Sequence, residues 1–277
     1  MRPSSSRRYP APVPTLVLSH RYSPDSNALF AAALAAGWDV ERLHGFRCPE
    51  GLAARDPVFY GETLLADAIR DELGILLLDP ADTFLPALPE RHRLRDVRLS
   101  TLGEACARRD RMFVKPTDEK CFPAKVYENG SAIQPDPILP HDLPVLVSEP
   151  VVFEIEYRGF IVDRRLATLS PYIRGGAIAR TEDGDWEADP TEVAEARACF
   201  EAILADPEAD LPPAVVIDVG RMAGRGWGVV EANPAWASGL CGCDPSAVLP
   251  VLRRAAVPAN LATDADRRWA RRSASLL

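Results

Sequence analysis

Basic charge is the first thing this chain lacks. Its 277 residues carry 32 Lys and Arg against 40 Asp and Glu, for a net charge of -8 and a pI near 5.2. A long nucleic-acid groove or an anionic membrane surface calls for the opposite balance, so neither partner is expected. A local basic pocket for phosphate is compatible with that balance. No run approaches the roughly 20 apolar residues of a membrane span. The opening "MRPSSSRRYPAPVP" has Ser, Arg and Pro but no apolar core, so it reads as a disordered tail over residues 1–14 and not as a secretory signal. Cysteine is sparse, with six residues scattered along a chain too long to need staples. They read as reduced thiols of a cytoplasmic protein. Cys241 and Cys243 form a C-x-C with no second pair, too few ligands for zinc. There is no internal repeat.

What the chain has is the balance of a soluble globular protein, 47% hydrophobic and 26% charged, in one large domain or two ordinary ones. "TLVLSH" predicts a short buried strand. "DSNALFAAALAAG" predicts an alanine-rich helix, capped by Asp25 or Ser26 and stopped by Gly37. "WDVERL" follows as a strand, completing a βαβ unit with a parallel sheet. "GETLLADAIRDELG" is a second helix closed by Gly74, and "ILLLD" a further apolar run. The proline-broken "PADTFLPALPERHRL" leaves this small α/β domain, set at 15–95. The texture then becomes α+β over 96–258: a helix in "DVRLSTLGEACARRD", the strand "RMFVKP", and antiparallel strands in "EIEYRGFIVDRRLATLSPYIRGG" around a "VDRR" turn. A helix follows in "TEVAEARACFEAIL". "AVVIDVGRMAGRGWGVVEAN" gives two strands joined by a glycine-rich turn. Residues 259–277 read as a C-terminal tail or short basic helix.

Chemistry concentrates at the end of that last hairpin. Residues i and i+2 of a strand share a face, so Glu231 and Asn233 point one way, and Asp218 on the partner strand can join them. Carboxylates gathered on one face repel unless something positive lies between. Hard oxygens of this kind suit Mg²⁺, which takes a few carboxylates plus substrate phosphates. The alternative is a solvated strand end, with Asn233-Pro234 starting a turn. Lys115 ends an apolar strand, and Glu156 follows Glu149 by seven residues; alone, each is compatible with a solvated strand charge. His20 follows the first strand, where solvent exposure is the default. Trp227 and Trp236 flank the metal motif and read as packing residues.

Taken in order, Lys115, the "SEPVV" and "EIEYRGFIV" acids and the Asp218…Glu231-x-Asn233 set resemble the ATP-grasp superfamily of carboxylate–amine or carboxylate–thiol ligases. The likeness covers roughly 96–258, preceded by the small α/β domain usual in such proteins. The Asp218-to-Glu231 and Glu149-to-Glu156 intervals are similar to those of D-alanine–D-alanine-type ligases. "EYRGFIV", "SPYI" and "VVEANPAWASGLCGCDP" look more like an ATP-grasp group marked by two arginines and a lysine. The resemblance implies ATP and Mg²⁺ as cofactors, with a small-molecule or peptide carboxylate and an amine or thiol as substrates. It places Lys115 on the α- and β-phosphates, Glu149, Pro150, Val151 and Val152 beside adenine, Glu156 on the ribose, and Asp218, Glu231 and Asn233 on Mg²⁺. Two departures stand out. The usual Gly/Ser-rich phosphate loop is replaced by "PTDEKCFPAKVYENG", where Lys120 or Lys125 can supply charge. The arginine that commonly stands two residues before the metal aspartate is Val216 here; Arg158, Arg174 and Arg221 are the catalytic candidates to replace it. Phosphoryl transfer to another acceptor and nucleotide binding without turnover are the competing functions.

Overall fold

The computed structural model describes residues 13–117 and 121–272. Most of the expected N-terminal tail, Lys120 and the last five residues therefore lie outside the described residues. The first unit is the expected α/β layer with one strand, β3, that the sequence pattern did not mark: β1 (Thr15–Leu18), α1 (Pro24–Ala35), β2 (Asp39–Arg42), β3 (Pro57–Tyr60), α2 (Thr63–Leu73) and β4 (Ile75–Leu77). The first three strands form a parallel sheet in the order β2-β1-β3. Gly74 ends α2 in the left-handed conformation (φ +65°), as a glycine there does without strain. The cap of α1 corrects the sequence reading. Ser23, not Asp25 or Ser26, is the N-cap, and Ser23 and Ser26 exchange side-chain-to-backbone bonds of 3.0 and 3.1 Å.

The short helices α3 (Phe84–Ala87) and α4 (Glu90–Arg93) end the proline-broken stretch. They do not close the first unit. Phe84, Leu85 and Leu88 share a core with Ile155, Tyr157 and Phe200 of the second. Next come β5 (Val97–Thr101), α5 (Leu102–Ala107), β6 (Met112–Pro116), β7 (Lys125–Tyr127) and β8 (Pro144–Ser148). "VRLST" is thus strand, where a helix was expected. The helix starts only at Leu102, after a Thr101–Glu104 capping box. These strands form an antiparallel sheet ordered β5-β8-β6-β7.

A second antiparallel sheet carries β9 (Phe153–Val162), β10 (Arg165–Arg174), β11 (Ala177–Ile178), β12 (Ala214–Met222) and β13 (Gly226–Asn233), with α6 (Pro190–Ala205) between β11 and β12. Its order is β11-β10-β9-β12-β13. One face packs Ile155, Tyr157, Ile161, Ile217 and Val219 against Phe200 and Ile203 of α6. Gly159 lets that helix approach, since a Cβ there would fall 2.5 Å from the Phe200 ring. The other face sends Phe160 and Val216 into the core of the first unit, with Leu16, Phe59 and Trp236. This architecture, α/β followed by α+β with antiparallel sheets, is the one the sequence predicts.

The C-terminal segment carries a short helix, one of the two forms expected of it, and is not a loose tail. After α7 (Pro245–Ala255), β14 (Ala256–Pro258) pairs with β4. Past α8 (Asp264–Arg267), Arg271 is buried. It bonds both Asp67 oxygens and Asp79 Oδ2, each at 2.9 Å. An ionic clamp of this kind anchors the segment, because removing one partner strands the others in low dielectric. Arg271→Ala should lower unfolding free energy by about 3 kcal/mol. Denaturant titration checks this, and a loss below about 0.5 kcal/mol, the range of an ordinary surface change, would make the segment a loosely held tail.

Candidate active site

The two antiparallel sheets are joined by residues Glu149–Val152, which run directly from β8 into β9. The candidate site lies where they face each other. Along β6, Met112, Val114 and Pro116 are buried, while Phe113 and Lys115 alternate to the other side. Lys115 reaches across to β13, and its Nζ lies 2.6 Å from Glu231 Oε2.

A β-bulge is what turns Glu231 toward that lysine. Asp218 stands opposite Glu231, but the next pair is Val219 with Val229, so Val230 is an extra residue in β13. Val229 is buried in the core beside α6. Regular alternation would send Glu231 to the same face; the inserted residue reverses it. Asn233 then lies beside Glu231 and donates from Nδ2 to its Oε1 (3.0 Å). The i, i+2 pairing expected from the sequence is therefore present, and Asp218 is in register with it.

The row continues across the sheet. Arg158 on β9 is paired with Asp218, and Ser170 on β10 with Arg158. Arg158 donates from Nε to Asp218 Oδ1 (2.9 Å) and from Nη2 to Oδ2 (2.8 Å). Asp218 is fully buried, and Arg158 nearly so. Nη1 donates to the Gly239 carbonyl (3.1 Å), and the guanidinium lies 4.2 Å from the Tyr172 ring centroid. Glu156, two pairs further along, opposes Gly220.

These charges set one another's ionisation. Burial pushes the Asp218 carboxyl up, to about 6, against the pull of Arg158. Burial acts the same way on Glu231, but Lys115 outweighs it and holds that carboxyl at about 2. Glu156 has burial and then the neighbouring Asp218 and Glu231 all pushing it up, to about 7. Arg158 stays charged, because Asp218 offsets the desolvation that works against it.

Other predicted residues are distributed differently. Arg174 and Arg221 are not brought to this cluster. Both stand opposite Ile155, whose side chain is buried toward α6. Arg174 bonds Glu192 of α6 through two nitrogens (3.1 and 2.6 Å). Arg221 meets Glu154 at 2.9 Å, with Glu192 and Glu195 further off. A register shift between Pro171 and Ile173 places Arg174 on that face, a shift the strand pattern did not reveal. Glu149 bonds Arg225 through Oε2 at 3.0 Å, and its backbone N–H donates to Asp96 O. Pro150 and Val151 are half-buried and Val152 is exposed. Lys125 is exposed on edge strand β7, its ammonium 5.0 Å from the Tyr127 ring. His20 is exposed. Trp236 is buried and donates to Leu78 O, and Trp227 packs on Tyr157.

Two residues were missed. Tyr172 covers Arg158, and Arg95 is buried, donating to the carbonyls of Val229 (2.6 Å) and Val230 (2.8 Å). Within "RHRLRDVR" nothing in the sequence marks which arginine is the buried one.

Among the described residues no three His, Cys, Asp or Glu side chains form a metal-binding group. The oxygen donors here are two carboxylates and the Asn233 carboxamide. That set fits a hard divalent cation whose other ligands are phosphate oxygens and water. Glu231 and Asn233 are part-exposed, whereas Asp218 has both oxygens taken by Arg158.

A sequence model of the ATP-grasp domain, R2K clade family 2, matches residues 92–251. This is more than half of the chain, and the chain belongs to that family. The match begins at the end of α4, so Arg95 falls inside it although the sequence reading put the domain boundary just after it. No curated protein matches the chain by sequence. Among solved structures, D-cycloserine synthetase DcsG is 15% identical, with a TM-score of 0.53 over 87% of this chain and 98% of its own. N5-carboxyaminoimidazole synthetase from Staphylococcus aureus is 10% identical, with a TM-score of 0.51 over 89% of this chain and 78% of its own. Identities this low establish likeness of fold.

The carboxylate cluster yields a pH signature. Glu156 titrates near 7 in the folded chain and near 4.5 unfolded, so between those values the native state binds the extra proton. Stability therefore falls as pH rises from about 4.5 to 7. Glu156→Gln should remove up to about 3 kcal/mol of that decline, read by urea unfolding at pH 5 and pH 7.5. An unchanged slope in the variant would mean Glu156 ionises normally.

Proposed function

We propose that this ATP-grasp protein is an ATP- and Mg²⁺-dependent ligase that activates a carboxylate as an acyl phosphate for attack by an amine or thiol. One observation carries the reading. A lysine from one sheet and the Glu231–Asn233 pair from the other meet across the Glu149–Val152 connection, with Asp218 directly behind. A nucleotide entering between the sheets would have its phosphates between Lys115 and Glu231.

Each residue then has a part set by its charge. Lys115 is paired with Glu231 in the ligand-free arrangement and turns to the α- and β-phosphates when they arrive. The backbone of Glu149 to Val152 lies beside adenine, with the Glu149 side chain held off by Arg225. Glu156 accepts from the ribose hydroxyls. Glu231 and Asn233 would hold Mg²⁺; Asp218 would reach it only by giving up a bond to Arg158. A cation held there would supply the positive charge that offsets negative phosphate oxygens during transfer. A substrate carboxylate oxygen attacks the γ-phosphorus as the bond to ADP breaks. The amine or thiol then attacks the acyl carbon, loses its proton and expels inorganic phosphate.

The part of Arg158 changes from the one expected of it. Its donors are taken by Asp218 and Gly239 O, so it is not an open fork for the acceptor carboxylate. It fixes Asp218 and the 234–243 loop. That loop is tied to the first unit by Gly61 N to Trp236 O (3.0 Å), Tyr60 Oη to Ser238 O (3.1 Å) and Leu240 N to Asp25 Oδ2 (3.0 Å). The acceptor is a small molecule or the end of a peptide.

Release of ADP and phosphate in the presence of pooled amino acids and peptides tests the ligase reading. Glu231→Gln should abolish turnover while the chain stays folded. Lys115→Ala should weaken ATP binding by about 1.5–3 kcal/mol, the scale of a charged hydrogen bond. Acceptor-independent turnover at the full rate, or wild-type activity in Glu231→Gln, would overturn the reading.

A further inference from the structure

Arg95 is a buried cation that the reaction, as described, does not use. It precedes β5 and is 6% exposed. Its hydrogen bonds go to backbone carbonyls: Val229 O, Val230 O and, at 3.2 Å, Arg93 O. Its guanidinium lies 5.2 Å from the ring of Phe153, the first residue of β9. Burial lowers its pKa to about 10, so the fold bears a desolvation cost with no bonded carboxylate to offset it. Glu156, Glu231 and Glu149 lie close enough to favour its charge.

The two carbonyls it holds on β13 are those of the bulge. Val229 is the last residue in the regular ladder beyond Asp218–Glu231, and Val230 is the inserted one. A bulge leaves its extra residue without a ladder partner, and a buried carbonyl so placed needs a donor from elsewhere. A planar guanidinium can meet two adjacent carbonyls at once; a lysine ammonium is a point charge on a flexible stem. The segment that delivers Arg95 is itself pinned to the same hairpin, since Arg225 Nη1 donates to Leu94 O (3.0 Å).

We infer that Arg95 is a positioning residue: it holds the Val229–Val230 bulge and thereby sets the aim of Glu231 and Asn233 at the cation. This rests on the reading of Glu231 and Asn233 as cation ligands. Supporting groups of this kind typically change metal affinity by about 10- to 100-fold when lost.

The test uses the full chain with Mn²⁺ as the probe, in the presence of a non-hydrolysable ATP analogue, with free Mn²⁺ counted by electron paramagnetic resonance. Arg95→Lys and Arg95→Met should each weaken Mn²⁺ binding by about tenfold or more, while thermal unfolding stays cooperative. Deleting Val230 removes the bulge but keeps Arg95, and should give a similar loss; this variant carries the test if the Arg95 variants do not fold. Glu231→Gln is the reference. If it leaves Mn²⁺ affinity unchanged, the cation site itself is misassigned. If Glu231→Gln loses Mn²⁺ but the folded Arg95 variants, or the Val230 deletion, bind it within twofold of wild type, Arg95 serves packing alone and the inference is overturned.

Discussion

Two carboxylates on neighbouring strands, one of them fully buried, can coexist only if cations sit against them. Asp218 and Glu231 stand opposite each other, and the fold answers with a separate cation for each. Arg158 meets Asp218 through two parallel bonds inside the sheet, and Lys115 meets Glu231 across the cleft. The difference matters. A buried pair loses about 3–5 kcal/mol when one partner is removed, because the other is stranded. The Lys115–Glu231 pair is part-exposed, so its charges can be exchanged for others without that penalty. One pair is therefore suited to hold the sheet and the other to open for a ligand.

The same charges join parts that are distant in sequence. Lys115 belongs to the four-stranded sheet and Glu231 to the five-stranded one, so their bond spans the cleft between sheets. Arg158 extends the row to the Gly239 carbonyl, and the loop around it is bonded to β3 and α1 of the first unit. Arg271 does similar work at the back, tying the C-terminal segment to α2 and the end of β4. The α/β unit is thus a wall of the site, sharing a core with the sheet that carries the carboxylates.

Much of this was legible from local pattern. The βαβ unit showed itself in the alternation of short apolar runs with an alanine-rich helix. The hairpin of Asp218 and Glu231 showed itself in two apolar strands around "RMAGRG". Lys115, Glu156, Asp218, Glu231 and Asn233 were all singled out, and the structure gathers them. Arg174 and Arg221 were singled out for lying on strands near the acids, but facing depends on register. A shift at Pro171–Ile173 sends Arg174 to the α6 side, where Glu192 meets it. Arg95 was passed over because it stands in a run of four arginines, and burial of one depends on contacts with a hairpin more than 130 residues away.

By itself, then, the sequence determined the kind of elements, their order, and the residue types able to hold phosphate and a divalent cation, because these follow from periodicity and from chemistry carried by neighbouring residues. Tertiary structure alone decided which side chains face one another. The inserted Val230 reverses β13 so that Glu231 meets Lys115 and not the core. Pairing of β9 with β12 turns Arg158 from a free fork into the partner of Asp218. Docking of Arg271 fastens to the α/β unit a segment that reads as a tail. Each depends on register or on long-range burial, where a one-residue slip moves a side chain to the other face of the sheet.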